Sequence, residues 1–312
     1  MQRVVIALGG NALLQKGDPE TAEAMRASAR HAAEVIADIA ADGWEVVVTH
    51  GNGPQVGRLL LQQEAASDVI APMPLDICGA LSQGQIGYLL QDSIGDVFYE
   101  RDMDRPVVTL LTLTRVRGDD PAFENPTKPI GPYYTDQEAE RLRSERGYRL
   151  ARAPGGAGWR RVVPSPRPYS IVEAPVIRRL VGDGVIVISA GGGGVPVVEE
   201  GPRLVGVEAV VDKDLAACIL ARDVEAEVLL ICTDVEGVYD SFGTPEQELI
   251  SRLDPEEAGR RLRAGELGEG SMKPKVEASV DFVEGGGKRA VIASLSDAVR
   301  SLAGRAGTQI SR

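Results

Sequence analysis

Six short runs rich in β-branched residues recur along the chain, at 4–8, 46–49, 107–113, 185–189, 228–232 and 290–293. None alternates apolar with polar residues, so each reads as a strand buried on both faces. Between the first two, Met25, Ala29, Ala32, Ile36 and Ile39 recur at three- and four-residue spacing, the pattern of an amphipathic helix. Further helical stretches are expected at about 54–66, 76–100, 174–182, 214–222, 254–264 and 273–285. Strand and helix alternating in this way predict an α/β fold, a three-layer αβα sandwich around an open, mostly parallel sheet. Ligands of such sheets bind beyond the carboxyl ends of the strands, where the following loops converge.

One segment interrupts the rhythm. Residues 115–170 carry eight prolines, a Gly-Gly-Ala-Gly run at 155–158 and few periodic apolar positions. Proline lacks an amide donor and is unsuited to a helix interior or central strand, which places this segment outside the main sheet. Trp159, Tyr133, Tyr134, Tyr148 and Tyr169 lie within it, and that aromatic content predicts a small ordered excursion protruding from the sheet rather than a disordered loop.

Glycine is in excess, 36 of 312 residues, or about 12% against a usual ~7%. The glycines cluster. Gly9 and Gly10, followed by Asn11, come directly after the first strand. Gly51, Asn52 and Gly53 follow the second, with Pro54 suited to the first turn of a helix. Gly191, Gly192 and Gly193 follow the fourth. Gly285, Gly286 and Gly287 precede a strand instead and read as a helix C-terminal turn. Glycine after a parallel strand lets backbone amides approach an anion closely, and three such loops on one sheet edge would form a phosphate site. Familiar alternatives fail. Gly51, Gly53 and Gly57 are spaced one residue too long for the dinucleotide fingerprint, and Lys288 is followed by Arg289, which excludes a P-loop. With only two histidines, His31 and His50, neither a histidine zinc site nor a Ser-His-Asp triad is expected.

Charge sharpens the reading. The formal net charge is −12, which argues against nucleic-acid or anionic-membrane partners. Any anionic substrate must therefore meet a local positive site. Lysine is scarce: six lysines among 34 basic residues leave 28 arginines. Lys213 stands between Asp212 and Asp214 at a helix start, where an aspartate can cap. Lys273 and Lys275 also open a helix, next to Gly270 and Ser271. The positive end of a helix dipole disfavours a lysine unless an anion joins it. Lys128 sits in the excursion. Glycine loops, two lysines and an aspartate, without a nucleophile, suit phosphoryl transfer, which needs positioning and charge neutralisation more than covalent work by the protein. Asp214 would hold the lysine ammonium groups in place.

The ordered set ALGGNAL (7–13), VVTHGNGPQVG (47–57), DICGALSQGQIGY (76–88), NPTKPIGPYY (125–134), WRRVVPSP (159–166), ISAGGGGVPVV (188–198), VDKDLAA (211–217), TDVEGVY (233–239) and GSMKPKV (270–276) resembles the carbamate kinases, a branch of the amino acid kinase superfamily. The resemblance spans almost the whole chain. It implies reversible phosphoryl transfer, ATP + carbamate = ADP + carbamoyl phosphate, with Mg²⁺ and often in arginine breakdown. It further implies an eight-stranded sheet and a cytoplasmic homodimer. An N-terminal lobe, 1–205 with the 115–170 protrusion, would take the carbamoyl group, and a C-terminal lobe, 206–312, the nucleotide. Lys213, Lys275 and Asp214 match the catalytic set. Gly9, Gly10, Asn11, Gly51, Asn52, Gly53, Gly191, Gly192, Gly193 and Lys128 match the substrate and phosphoryl side. Thr233, Asp234, Tyr239 and Met272 fall in segments resembling the adenosine pocket. No metal-ligand set is implied. Most of the superfamily places a lysine just before the first Leu-Gly-Gly; here that position is Ala7, which favours the carbamate branch. The alternatives are another small-acid kinase of the superfamily or a nucleotide-binding sensor without turnover.

Three cysteines, Cys78, Cys218 and Cys232, lie far apart in apolar contexts and are expected to be buried thiols. No run approaches the ~18 apolar residues of a membrane span, and a reducing cytoplasm is the expected setting.

Overall fold

The computed structural model describes residues 2–10, 21–267 and 271–312. Eight strands make the main sheet: β1 (Arg3–Leu8), β2 (Glu45–His50), β3 (Val107–Thr109), β4 (Ile186–Ile188), β5 (Val228–Thr233), β6 (Arg252–Leu253), β7 (Arg289–Ser294) and β8 (Thr308–Ile310). Their spatial order is β6-β8-β7-β5-β1-β2-β4-β3. From β7 across to β3 every pair is parallel; only the β7–β8 pairing is antiparallel.

Both faces of this sheet are covered, which explains the missing alternation. Val4, Ile6 and Leu8 of β1 enter one apolar cluster with helices α1 (Ala22–Ala41) and α3 (Leu75–Glu100). Val5 and Ala7 of the same strand enter a second cluster. That second layer holds α5 (Ala174–Gly182), α6 (Lys213–Asp223), α7 (Pro255–Ala264) and α8 (Met272–Glu284). Helix α2 (Gly53–Ala65) leaves directly from the β2 loop, and α9 (Ala298–Leu302) lies against β7. The chain runs outward one way from β1 through β2 and the other way from β5, so the order reverses between β1 and β5. Crevices of this kind, at the carboxyl ends of the strands, are where such sheets bind ligands.

The expected strand at 107–113 is two strands. Val107–Thr109 belongs to the main sheet, whereas Leu113–Val116 joins a second, four-stranded sheet with Pro168–Ile171, Val195–Glu200 and Arg203–Gly206. The break falls at Thr112, whose N–H and C=O are both taken by the amide of Gln83 on α3, each at 3.1 Å. With its N–H so engaged, Thr112 leaves the main-sheet ladder, while its carbonyl also accepts from the Val195 N–H at 2.9 Å and opens the pairing with the second sheet.

The excursion is ordered, as its aromatics suggest, and contains more regular structure than its prolines indicate. Lys128–Tyr134, Trp159–Val163 and Leu150–Arg152 form a three-stranded antiparallel sheet. Pro129 and Pro132 lie in Lys128–Tyr134, an edge strand with a register shift after Ile130, the setting in which a missing donor is tolerated. Helix α4 (Asp136–Arg146) is closed by a capping box: Thr135 Oγ1 accepts from the Glu138 N–H, and Glu138 Oε2 accepts from the Thr135 N–H at 2.8 Å. Gly147, at φ 64°, ends it.

Candidate active site

Four loops meet at the carboxyl edge. The contacts a glycine Cβ would make show how tightly. One on Gly9 would lie 3.0 Å from the Cys232 carbonyl oxygen of β5, and one on Gly51 would lie 3.2 Å from the Gly10 nitrogen and 3.5 Å from Lys213 Cδ. On Gly191 it would enter the His50 ring, 2.3 Å from Nε2, and on Gly192 it would strike Asn52 Nδ2 at 2.1 Å. The glycines after β1, β2 and β4 are thus packed against one another and against the lysine that opens α6. Gly192 also holds φ 65°, a left-handed conformation that side chains other than glycine adopt only with strain.

Side chains beneath the loops fix them. Thr49 Oγ1 donates to the Ala190 carbonyl at 2.9 Å, Thr114 Oγ1 donates to the Gly193 carbonyl at 2.8 Å, and the Ala190 N–H donates to Thr112 Oγ1 at 3.0 Å. Asn52 Nδ2 donates to Ser82 Oγ on α3 at 2.8 Å. His50 is buried, with Nδ1 3.0 Å from the Gly51 carbonyl. Burial, with the Lys213 charge nearby, pushes its pKa down to about 4 despite that bond, so the ring is neutral at pH 7.

The charged centre stands on α6 and α8. Asp212 caps α6: its Oδ1 accepts from the Asp214 N–H at 2.9 Å and the Leu215 N–H at 3.4 Å. Asp214, 3% exposed, accepts from Lys213 Nζ on Oδ1 at 2.5 Å and from Lys275 Nζ on Oδ2 at 3.0 Å. Lys275, in the first turn of α8, is itself only 7% exposed. Burial alone would raise the Asp214 carboxyl, but the Lys213 and Lys275 charges outweigh it and hold the pKa below the usual aspartate range. Lys128 reaches in from the excursion and donates to Asp212 Oδ2 at 2.7 Å.

These contacts amend the sequence argument. The anion that a lysine at a helix start requires is supplied within the chain, by Asp212 and Asp214, so position on a helix does not alone demand a polyphosphate. What remains is a surplus: three ammonium groups against two carboxylates leave one net positive charge. Each ammonium also carries three donors, and the hydrogen bonds above use one of each.

On the other flank, Thr233 ends β5 with its Cα 3.9 Å from where a Gly9 Cβ would stand, and Asp234 follows it. Tyr239 lies in a two-stranded hairpin; its hydroxyl donates to Glu236 at 2.8 Å, and its ring meets Phe242 at 5.9 Å. Met272 opens α8 and packs on the second apolar cluster. Asn11 lies outside the described residues. Among the described residues no group of three His, Cys, Asp or Glu side chains could hold a metal. Cys78, Cys218 and Cys232 are free and buried. No helix among these residues is long and apolar enough to cross a membrane.

Sequence reasoning did not foresee His50 under the loops or Asp212 as the partner of Lys128. The signal for the second was present in two aspartates flanking one lysine, although only their capping value was legible.

The amino acid kinase family model matches residues 2–294. The chain belongs to that family. Within it the chain falls among the carbamate kinases and is an ATP-dependent phosphotransferase. The carbamate kinase of Thermococcus kodakarensis is 50% identical over 315 residues, covering 100% of both chains. That of Pyrococcus horikoshii is 49% identical over 311 residues, 99% of each. Among solved structures, carbamate kinase from Giardia lamblia bound to AMP-PNP superposes with a TM-score of 0.93 at 42% identity, covering 99% of this chain and 98% of that one. N-acetylglutamate synthase from Neisseria gonorrhoeae, at TM-score 0.59 and 16% identity over 99% of this chain and 61% of that one, shares the fold alone.

Proposed function

We propose that the chain interconverts ATP plus carbamate with ADP plus carbamoyl phosphate, and that Lys213, Asp214 and Lys275 carry the chemistry. A carbamate oxygen attacks the terminal phosphorus, the bond to the bridging oxygen of ADP breaks, and the reverse step regenerates ATP. Lys213 and Lys275 offer their remaining donors to the oxygens of the moving phosphoryl group, where preorganised charge counts most. Asp214 acts through them: a buried carboxylate holding both ammonium groups prevents their reorganisation during the step. The observation that carries this reading is that one buried carboxylate bonds both lysines at the edge where the glycine loops converge.

Gly9, Gly10, Asn11, Gly51, Asn52, Gly53, Gly191, Gly192, Gly193 and Lys128 form the acceptor and phosphoryl side in this assignment, within an N-terminal lobe of residues 1–205. The nucleotide lies along 206–312, near Thr233, Asp234, Tyr239 and Met272. Mg²⁺ would travel on the nucleotide phosphates with most of its waters, as suits a small hard cation, because Asp212 and Asp214 are already bound to lysines. The test is a coupled assay for ATP formed from ADP and carbamoyl phosphate, with acetyl phosphate as control. Turnover with carbamoyl phosphate and little with acetyl phosphate supports the reading, and equal use of both overturns its substrate.

A cytoplasmic homodimer serving arginine breakdown completes the proposal. Ile77, Leu81 and Tyr88 expose apolar surface along one stripe of α3, a face suited to a second copy. Leu81→Glu should convert a dimer to a monomer in light scattering; a monomeric parent would refute the assignment.

A further inference from the structure

We propose that Asp212 is a positioning residue for the substrate side of the site: its two carboxylate oxygens divide the work, Oδ1 fixing the start of α6 and Oδ2 aiming the Lys128 ammonium. This deepens the carbamate kinase reading and rests on it.

The division is visible in the bonds. Oδ1 accepts from the Asp214 and Leu215 amides, and Oδ2 accepts from Lys128 Nζ. Asp212 therefore joins two parts of the molecule. One is the buried Asp214 pair system on α6 and α8. The other is the excursion, which is also tied to the body by the Tyr134 hydroxyl on Glu64, Arg146 on Ser67, Arg161 on Glu208, Arg167 on Glu277 and Asp281 of α8, the Pro164 carbonyl on the Val210 N–H, and an apolar cluster including Val56, Leu60, Ile130 and Val163. Those ties hold the excursion in place. They do not orient the Lys128 side chain, which is long, flexible and 34% exposed. A lysine of that kind loses much rotamer freedom when it is aimed. A carboxylate fixed by two backbone amides, its own side chain 15% exposed, restrains that freedom before substrate arrives. The ammonium keeps two donors for a phosphoryl or carbamoyl oxygen. Asp212 thus stands to Lys128 as Asp214 stands to Lys213 and Lys275.

The opposite sign is available to simple electrostatics. Asp212 is an anion beside an anion site, so deleting its charge should tighten substrate binding if charge were all that mattered. Asp212→Asn separates the two, since asparagine caps a helix as well as aspartate does. The expected result is a KM for carbamoyl phosphate raised roughly tenfold, the scale of a coupled contact. The dissociation constant of ADP stays within about twofold and the melting temperature within about 2 °C. In a Lys128→Ala background the same substitution should change the KM less than about twofold, because the residue acts through Lys128. Calorimetric binding of carbamoyl phosphate without nucleotide should weaken in parallel. A lowered KM, an equal loss of ADP affinity, or an undiminished effect in the Lys128→Ala background each overturns the proposal. The unsubstituted protein is assayed first: absence of ATP formation there counts against the carbamate kinase reading, whereas the cycle outcomes count only against Asp212.

Discussion

The main sheet and the excursion bring lysines to one place by opposite means. In the sheet, Val4, Val5, Ala7 and Leu8, Val46 to Val48 and the core strands beside them are essentially without solvent contact, and each strand is packed on both faces. In the excursion only a few side chains are buried, among them Ile130, Ala139, Leu142 and Val163. Its order comes instead from guanidinium groups stacked on rings: Arg143 and Arg152 at 4.2 and 5.1 Å from the Trp159 centroid, Arg161 at 4.0 Å from Tyr148 and Arg160 at 5.4 Å from Tyr133. Dense aliphatic packing resists displacement by fractions of an ångström, whereas stacked, partly solvated pairs give way at lower cost. Lys213 and Lys275, which the proposed function requires to stay fixed, rest on the first kind of support. Lys128, which the proposed function sets against the small substrate, rests on the second.

The largest test of that contrast is kinetic. Lys213→Ala or Lys275→Ala should lower kcat by about 10²–10³, the scale for removing one preorganised charge stabiliser, while Lys128→Ala should act mainly on the KM for carbamoyl phosphate. Steady-state rates with both substrates varied distinguish these outcomes. A Lys128→Ala loss in kcat as large as that of Lys275→Ala would erase the distinction between the two supports.

Asp214→Asn addresses the body alone. It leaves Lys213 and Lys275 buried without their counter-ion, which should cost about 3–5 kcal/mol of stability in urea unfolding at pH 7. The excursion bonds Asp212 instead, so its hydrogen exchange should change no more than the global loss dictates. The pH sign follows from the depressed carboxyl. Its stabilisation is fully present above the unfolded aspartate value near ~3.9 and disappears as pH falls through the lower folded value. The parent should therefore lose stability relative to Asp214→Asn only in strong acid.

How far this was legible in the sequence follows the same division. The core strands and their loops stand out because aliphatic runs and glycine clusters are local signals, and Lys213, Asp214 and Lys275 stand out because lysine is scarce. The break in the strand expected at 107–113 carries no local signal, since it depends on Gln83, a residue distant in sequence whose amide bonds both backbone groups of Thr112. The two-residue Arg252–Leu253 strand and Thr308–Ile310 carry too few residues for a periodic signal. Helix α4 has an apolar stripe of only Ala139 and Leu142, so hydrophobic periodicity misses it, although Thr135 and Glu138 spell its cap. The pairing of Lys128 with Asp212 spans 84 positions and is a product of the fold.

A third measurement tests the rigidity of the loop floor. His50 is buried and neutral, with its pKa brought down to about 4. A group so depressed favours the folded state fully above the unfolded histidine value near ~6.5, and the advantage shrinks as pH falls from there to about 4. The loss amounts to about 3 kcal/mol across that window. His50→Gln should flatten the stability profile between those limits in chemical unfolding at stepped pH. An unchanged slope would mean that the ring gains access to water, and that the floor yields as readily as the excursion does.

The smallest expected effect probes the excursion from within. Thr135 is exposed, lies in no apolar cluster, and contributes the side-chain half of the α4 capping box. Thr135→Ala should cost about 1 kcal/mol. Because α4 rests on few buried side chains, that cost should appear as faster hydrogen exchange across residues 136–146 rather than as a lower global unfolding midpoint. The N-cap of α6 makes the informative counterpart. Asp212 accepts the same kind of amide bond, but its helix carries Asp214, Ala216, Ala217, Cys218, Leu220 and Ala221 into the core. Loss of that cap in Asp212→Ala should therefore be shared by the whole fold and lower the global midpoint. If the two substitutions instead produced the same local loosening, the sheet layer would be no more cooperative than the protrusion, and fixed lysines on one side with an adjustable one on the other would lose their structural basis.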